Sequence, residues 1–172
     1  MLKLLGILCI LAGCTGIGFG MARELELRVE ELAAIQQQIL FIRGEIRYLH
    51  QPLTETFAHV SKTAPAPFSE FFDRTAKELE QRLGSTAGEI WRRNQKEYLS
   101  GLHIGSREAR EFERLGNLLG YLDVEMQVDT LDHYLEQLKL STAQAAEAAK
   151  GKRKLYRYMG ALCGAALAIL IF

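Results

Sequence analysis

Four histidines, His50, His59, His103 and His133, are the side chains best suited to proton transfer near neutral pH or to holding a transition metal. They are scattered, and no pair has metal-ligand spacing with a carboxylate or cysteine, so each reads as a surface or part-buried histidine. The three cysteines, Cys9, Cys14 and Cys163, fall in two uncharged apolar stretches, which leaves none for a zinc site or a disulfide framework elsewhere. A phosphate-cradling loop is missing as well. Gly84-Ser85-Thr86 lacks the lysine and the preceding strand that a P-loop requires. Glu24, Glu26, Glu30 and Glu31 interleave with Arg23 and Arg28 at helical spacing, the pattern of a solvated face and not of paired carboxylates for acid–base catalysis. No catalytic, metal or cofactor residue is therefore assigned. With 21 basic and 21 acidic side chains the formal charge is zero, so nothing points to nucleic acid.

The informative charges are clustered. Lys150, Lys152, Arg153, Lys154 and Arg157 stand directly before an uncharged apolar stretch, residues 159–172. Basic residues stay on the cytoplasmic side of a spanning helix, so what precedes Lys150 is expected in the cytoplasm. Tyr156 and Tyr158 suit the headgroup level and Arg157 can snorkel, which extends the candidate span to residues 156–172. Residues 4–22 form a second uncharged run of about 19, close to the roughly 20 that a crossing helix needs. The chain thus divides into an N-terminal transmembrane segment at 1–22, a cytoplasmic helical domain at 23–155 and a C-terminal transmembrane segment at 156–172. An alternative rests on Leu11-Ala12-Gly13-Cys14, which matches a lipoprotein cleavage pattern and would make the chain a lipid-anchored, outward-facing helical interaction protein. Against it, Lys3 is the only basic residue before the run, and residues 15–22 continue the apolar stretch past Cys14.

The elements between the anchors follow helical periodicity. Apolar residues from Leu25 to Leu49 repeat every three or four positions, which predicts one long helix over residues 23–50 that ends near Pro52. Short helices follow over 52–63, around the Phe68, Phe71, Phe72, Leu79 and Leu83 face, and after a capping box at Thr86 and Glu89. Gly84 is placed where a helix ends in a left-handed residue. Ser106 is the expected N-cap of a fifth helix carrying Phe112, Leu115, Leu118 and Leu119. Asp123 is the expected cap of a sixth, with Val124, Val128, Leu131, Leu135 and Leu138 in its stripe, which runs on toward the second span. The fold expected is all-α: a six-helix cytoplasmic bundle with long first and last helices, flanked by two transmembrane helices. Between the fifth and sixth helices, Gly116 and Gly120 lie four apart. They predict a structural corner, where another helix approaches closely and Gly120 takes a positive φ.

Taken in order, the N-terminal apolar segment, Glu45-Ile46-Arg47-Tyr48, Pro52-Leu53 with Glu55 and Phe57, the Leu-Gly-x-x-Leu-Gly-x-x-Asp corner with Gln127 beyond it, and the basic-flanked C-terminal span resemble the stage III sporulation protein AB family. The resemblance covers essentially the whole chain. It implies a noncatalytic platform in the mother-cell membrane around the forespore of endospore-forming bacteria, part of a secretion-like channel between the two cells. It also implies partners: a cytoplasmic ATPase, stage III sporulation protein AA, and further membrane and ring components. The family is itself similar to the F component of type II secretion and type IV pilus machines, which carries two bundles where this chain has one. In such a platform the ATPase reaches the membrane-distal end. Glu45 and Arg47 at the top of the first helix, with Asp123 and Gln127 at the start of the sixth, form the candidate contact site. Self-assembly stays open, because long heptad-like stripes can be satisfied within one bundle or between copies.

Overall fold

The computed structural model describes residues 2–81 and 84–171, with the side chains of 2–12, 14, 15, 18 and 153–171 outside the description. Among the described residues there is no strand. The helices are α1 (Leu2–Gly44), α2 (Leu53–Thr63), α3 (Phe68–Gln81), α4 (Ala87–Tyr98), α5 (Ser106–Leu119) and α6 (Val124–Ile171), with a π-helical turn, Glu45–Leu49, closing α1. The chain forms two compact units, Glu31–Thr142 and the paired ends Met1–Glu30 with Ala143–Phe172. Among the described residues no helix is long and apolar enough to cross a membrane. The side chains of the apolar segment at 4–22, Cys14 among them, fall largely outside the described set, and those of 156–172 and of Arg153, Lys154 and Arg157 wholly outside it.

The larger unit is built on one aromatic cluster. Leu32, Ile35, Ile39 and Ile42 of α1 and Ile46 of the π-helical turn are fully buried, as the three-and-four spacing requires. Trp91 of α4 is the centre: its ring lies 4.9 Å from Phe71, 4.8 Å from Phe112 and 5.5 Å from Phe57, centroid to centroid. Each such pair adds about 0.5–1.5 kcal/mol beyond the burial of its area. Buried polar groups bind elements together around this core. Asn94 donates to Thr75 Oγ1 at 3.2 Å, and Thr75 donates to the Phe71 carbonyl at 2.7 Å. Glu78, on α3, is held between Arg74 at 2.7 Å and Arg93 of α4. Burial pushes its carboxyl up, but the two guanidiniums outweigh that and leave it below the ordinary carboxylate range.

Local signals are reproduced where they are local. Thr86 and Glu89 form the reciprocal capping box, and Gly84 is left-handed with φ +81°. Several expectations are corrected. The last turn of α1 winds as a π-helix and His50 turns left-handed at φ 53°, so Leu49 points to solvent instead of continuing the apolar stripe. Gly105, not Ser106, is the N-cap of α5, and no side chain caps that helix. Leu118 and Val124 are exposed: Leu118 lies on the outer face of α5 while Leu115 and Leu119 turn into the core, and Val124 stands at the first position of α6. Gly120 has φ −73° and ψ −14°, an ordinary right-handed conformation, so no positive φ demands a glycine there.

Candidate functional site

The glycines of the corner act through space. A Cβ on Gly116 would overlap the Trp91 ring, and one on Gly120 would stand 2.6 Å from the Ala87 Cβ. Across the same contact a Cβ on Gly88 would overlap the Asn117 side chain. Helices α4 and α5 therefore meet backbone to backbone along Ala87, Gly88 and Trp91 on one side and Gly116, Asn117 and Gly120 on the other. This contact fixes where the α5–α6 corner emerges. Asp123 then caps α6, accepting from the Met126 amide at 2.9 Å. Gln127 ties the corner closed by donating to the Leu119 carbonyl at 2.9 Å and the Leu122 carbonyl at 3.1 Å.

The end of α1 lies against the start of α6. Arg43 and Arg47 both face Asp132, Arg43 through a 3.0 Å hydrogen bond and Arg47 at 3.9 Å. Arg47 also stacks near Tyr48, 5.9 Å from its centroid. Arg47, His50, Val124, Glu125, Val128, Asp129 and Asp132 line a groove of about 580 Å³. Glu125 and Asp129 make no ion pair among the described residues, and the residues flanking the groove in sequence, Tyr48, Leu49, Tyr121 and Met126, are exposed. Tyr48 and Tyr121 stand 74% and 73% exposed.

Of the four expected contact residues, Arg47 lines this groove, and Asp123 and Gln127 build the corner beside it without lining it. Glu45 faces elsewhere. Its carboxylate is only 12% exposed and pairs with His59 Nδ1 of α2 at 2.9 Å. The topology residues Lys150 and Lys152 are exposed on α6. Sequence reasoning missed Glu125, Asp129 and the exposed tyrosines. Glu125 and Asp129 at i and i+4 on the first turns of a helix were the available signal.

A second groove gathers no reacting constellation among the described residues. The groove between α5 and α6, about 330 Å³, is lined by Glu111, Arg114, His133 and Tyr134 among others. Burial, with Glu111 and Glu108 nearby, pushes the Tyr134 hydroxyl well above its ordinary range, so it stays neutral and is a poor base. Among the described residues no three metal-ligating side chains converge.

The family model described as Stage III sporulation protein AB matches residues 3–172. The chain belongs to the stage III sporulation protein AB family. A curated member, Stage III sporulation protein AB of Bacillus subtilis (strain 168), is 28% identical over 171 residues, covering 99% of both chains. A solved structure of Stage III sporulation protein AB superposes with a TM-score of 0.65 at 22% identity, covering 72% of this chain and 97% of that one, a likeness of fold. Membership gives the chain a part in the sporulation apparatus.

Proposed function

We propose that the chain is a noncatalytic membrane platform of a secretion-like channel between mother cell and forespore, and that its corner surface docks a cytoplasmic ATPase, stage III sporulation protein AA. In this reading residues 1–22 and 156–172 are the spans, and residues 23–155 lie in the cytoplasm on the side of the basic cluster, in the mother-cell membrane around the forespore. The observation that carries it is the groove between the end of α1 and the start of α6, with two acids that make no ion pair among the described residues, Glu125 and Asp129, and exposed aromatics beside it. Such a surface fits a partner that offers cationic side chains and an apolar anchor, since unpaired surface acids steer and register an oppositely charged face.

The test uses the full-length chain in lipid nanodiscs and the purified ATPase. Replacing Glu125→Lys together with Asp129→Lys weakens binding about tenfold or more, equivalent to at least about 1.4 kcal/mol, while the unfolding midpoint of the chain stays put. Binding at full strength by that variant would move the partner to another surface.

A further inference from the structure

We propose that the outward face of α1, from Ala33 to Gly44, is a self-association seam whose occupant is the same face of a second copy of this chain. Between Glu31 and Arg43 the helix carries no charge, in a chain that is 24% charged. The core-facing residues of this stretch, Leu32, Ile35, Ile39 and Ile42, account for only half of its apolar residues. On the other side Ala33, Gln37, Leu40 and Gly44 follow at intervals of four, three and four residues, with Phe41 beside them. At 3.6 residues per turn the two seams are separated by roughly 150° around the helix. Leu40 is 44% exposed and Phe41 38%, and Ala33 and Gln37 are exposed too. A solvent-facing helix surface is ordinarily polar and charged, so an uncharged second seam in a 3.5-residue repeat marks a face made to be covered.

A copy of the same chain fits this face better than a different partner. The seam holds no charge, so two identical faces meet without like-charge repulsion. Its repeat matches itself, which lets the Leu40 side chain of one copy enter the space beside Gly44 of the other, where an added Cβ would touch nothing within 4 Å. Anchoring, on which this part of the inference rests, holds all copies in one orientation. Identical stripes then stand at equal height about a two-fold axis along the membrane normal. Two heptads bury much less than the roughly 1,200 Å² of a stable free interface, and confinement to one membrane supplies the missing effective concentration.

The test is disulfide trapping in membranes holding the full-length chain, with Cys9, Cys14 and Cys163 replaced by alanine. Under mild copper-phenanthroline oxidation, Leu40→Cys gives a majority of covalent dimer and Lys77→Cys, exposed on α3, less than a tenth of that. Adding Phe41→Lys to Leu40→Cys reduces the dimer at least fivefold without changing the Trp91 emission. A Leu40→Cys dimer no stronger than that of Lys77→Cys, or linkage of Leu40→Cys to a different protein, overturns the proposal. Carbonate extraction of the same membranes separates the two ideas. Chain released by carbonate with the dimer intact leaves the seam standing and removes the anchoring; chain retained without a dimer removes the seam.

Discussion

Gly120→Ala tests one of the close contacts between α4 and α5 that set the position of the α5–α6 corner. Its φ of −73° suits any L-residue, so backbone strain adds nothing. The new Cβ would stand 2.6 Å from the Ala87 Cβ, where packed carbons ordinarily sit about 3.5–4.0 Å apart. Relief requires α4 and α5 to part by about 1 Å, which also loosens Gly116 from the Trp91 ring. Overpacking of this kind costs about 1–3 kcal/mol, and a value near 2 is expected here. Ala87→Gly alone costs less than the ~0.5–1 kcal/mol of a mid-helix position, because Ala87 is the first residue of α4. In the double variant the nearest remaining atom, the Ala87 Cα, is at 3.7 Å, an ordinary contact, so the clash disappears and only the Ala87→Gly share is left. The coupling is therefore about 2 kcal/mol and favourable. Trp91 is the chain's one tryptophan and sits in the core, so urea unfolding of the full-length chain in mild detergent, followed by its emission, reads each variant directly. Additivity within about 0.5 kcal/mol would refute the close-contact account of Gly120.

Two further outcomes follow from the same core. Glu78 is held below its ordinary value of 4.5 by Arg93 and Arg74 against the opposing effect of burial, so its share of stability is present above that pH and is lost as pH falls through its lower folded value. Glu78→Gln should thus be less stable than the parent at pH 7, with the gap narrowing below about 4.5; a gap that stays constant through the acid range contradicts this. Thr86→Ala removes one half of the capping box, in which Thr86 Oγ1 accepts from the Glu89 amide at 3.3 Å, and should cost about 1 kcal/mol in the same urea assay. No change in midpoint would mean that solvent satisfies the freed amide equally well.

What could be read in the sequence was set by how local the determinant is. The Thr86–Glu89 box, the Asp123 cap and the left-handed Gly84 involve residues within four positions of one another, and all three are found as expected. The Gly116–Gly120 pair was legible as a place of close approach, but the reason for Gly120 was not. It depends on Ala87, a residue 33 positions earlier on another helix. Glu45 was placed at an exposed contact because nothing in its neighbourhood reveals His59, which covers it from α2. Leu49 and Val124 continue their stripes in sequence and leave them in space, since a π-helical turn and a helix start carry them past the core. The outer seam of α1 was hidden by the inner one: two apolar repeats on one helix blur into a single uncharged run until burial separates them.

In the proposed docking mode the corner surface faces the ATPase. A photoreactive phenylalanine analogue in place of Tyr121, in the full-length chain expressed in sporulating cells, reports its neighbour at the moment of irradiation. A covalent adduct with stage III sporulation protein AA is expected from Tyr121 and none from the same analogue at Lys77. An adduct from Lys77 but not from Tyr121 would contradict it.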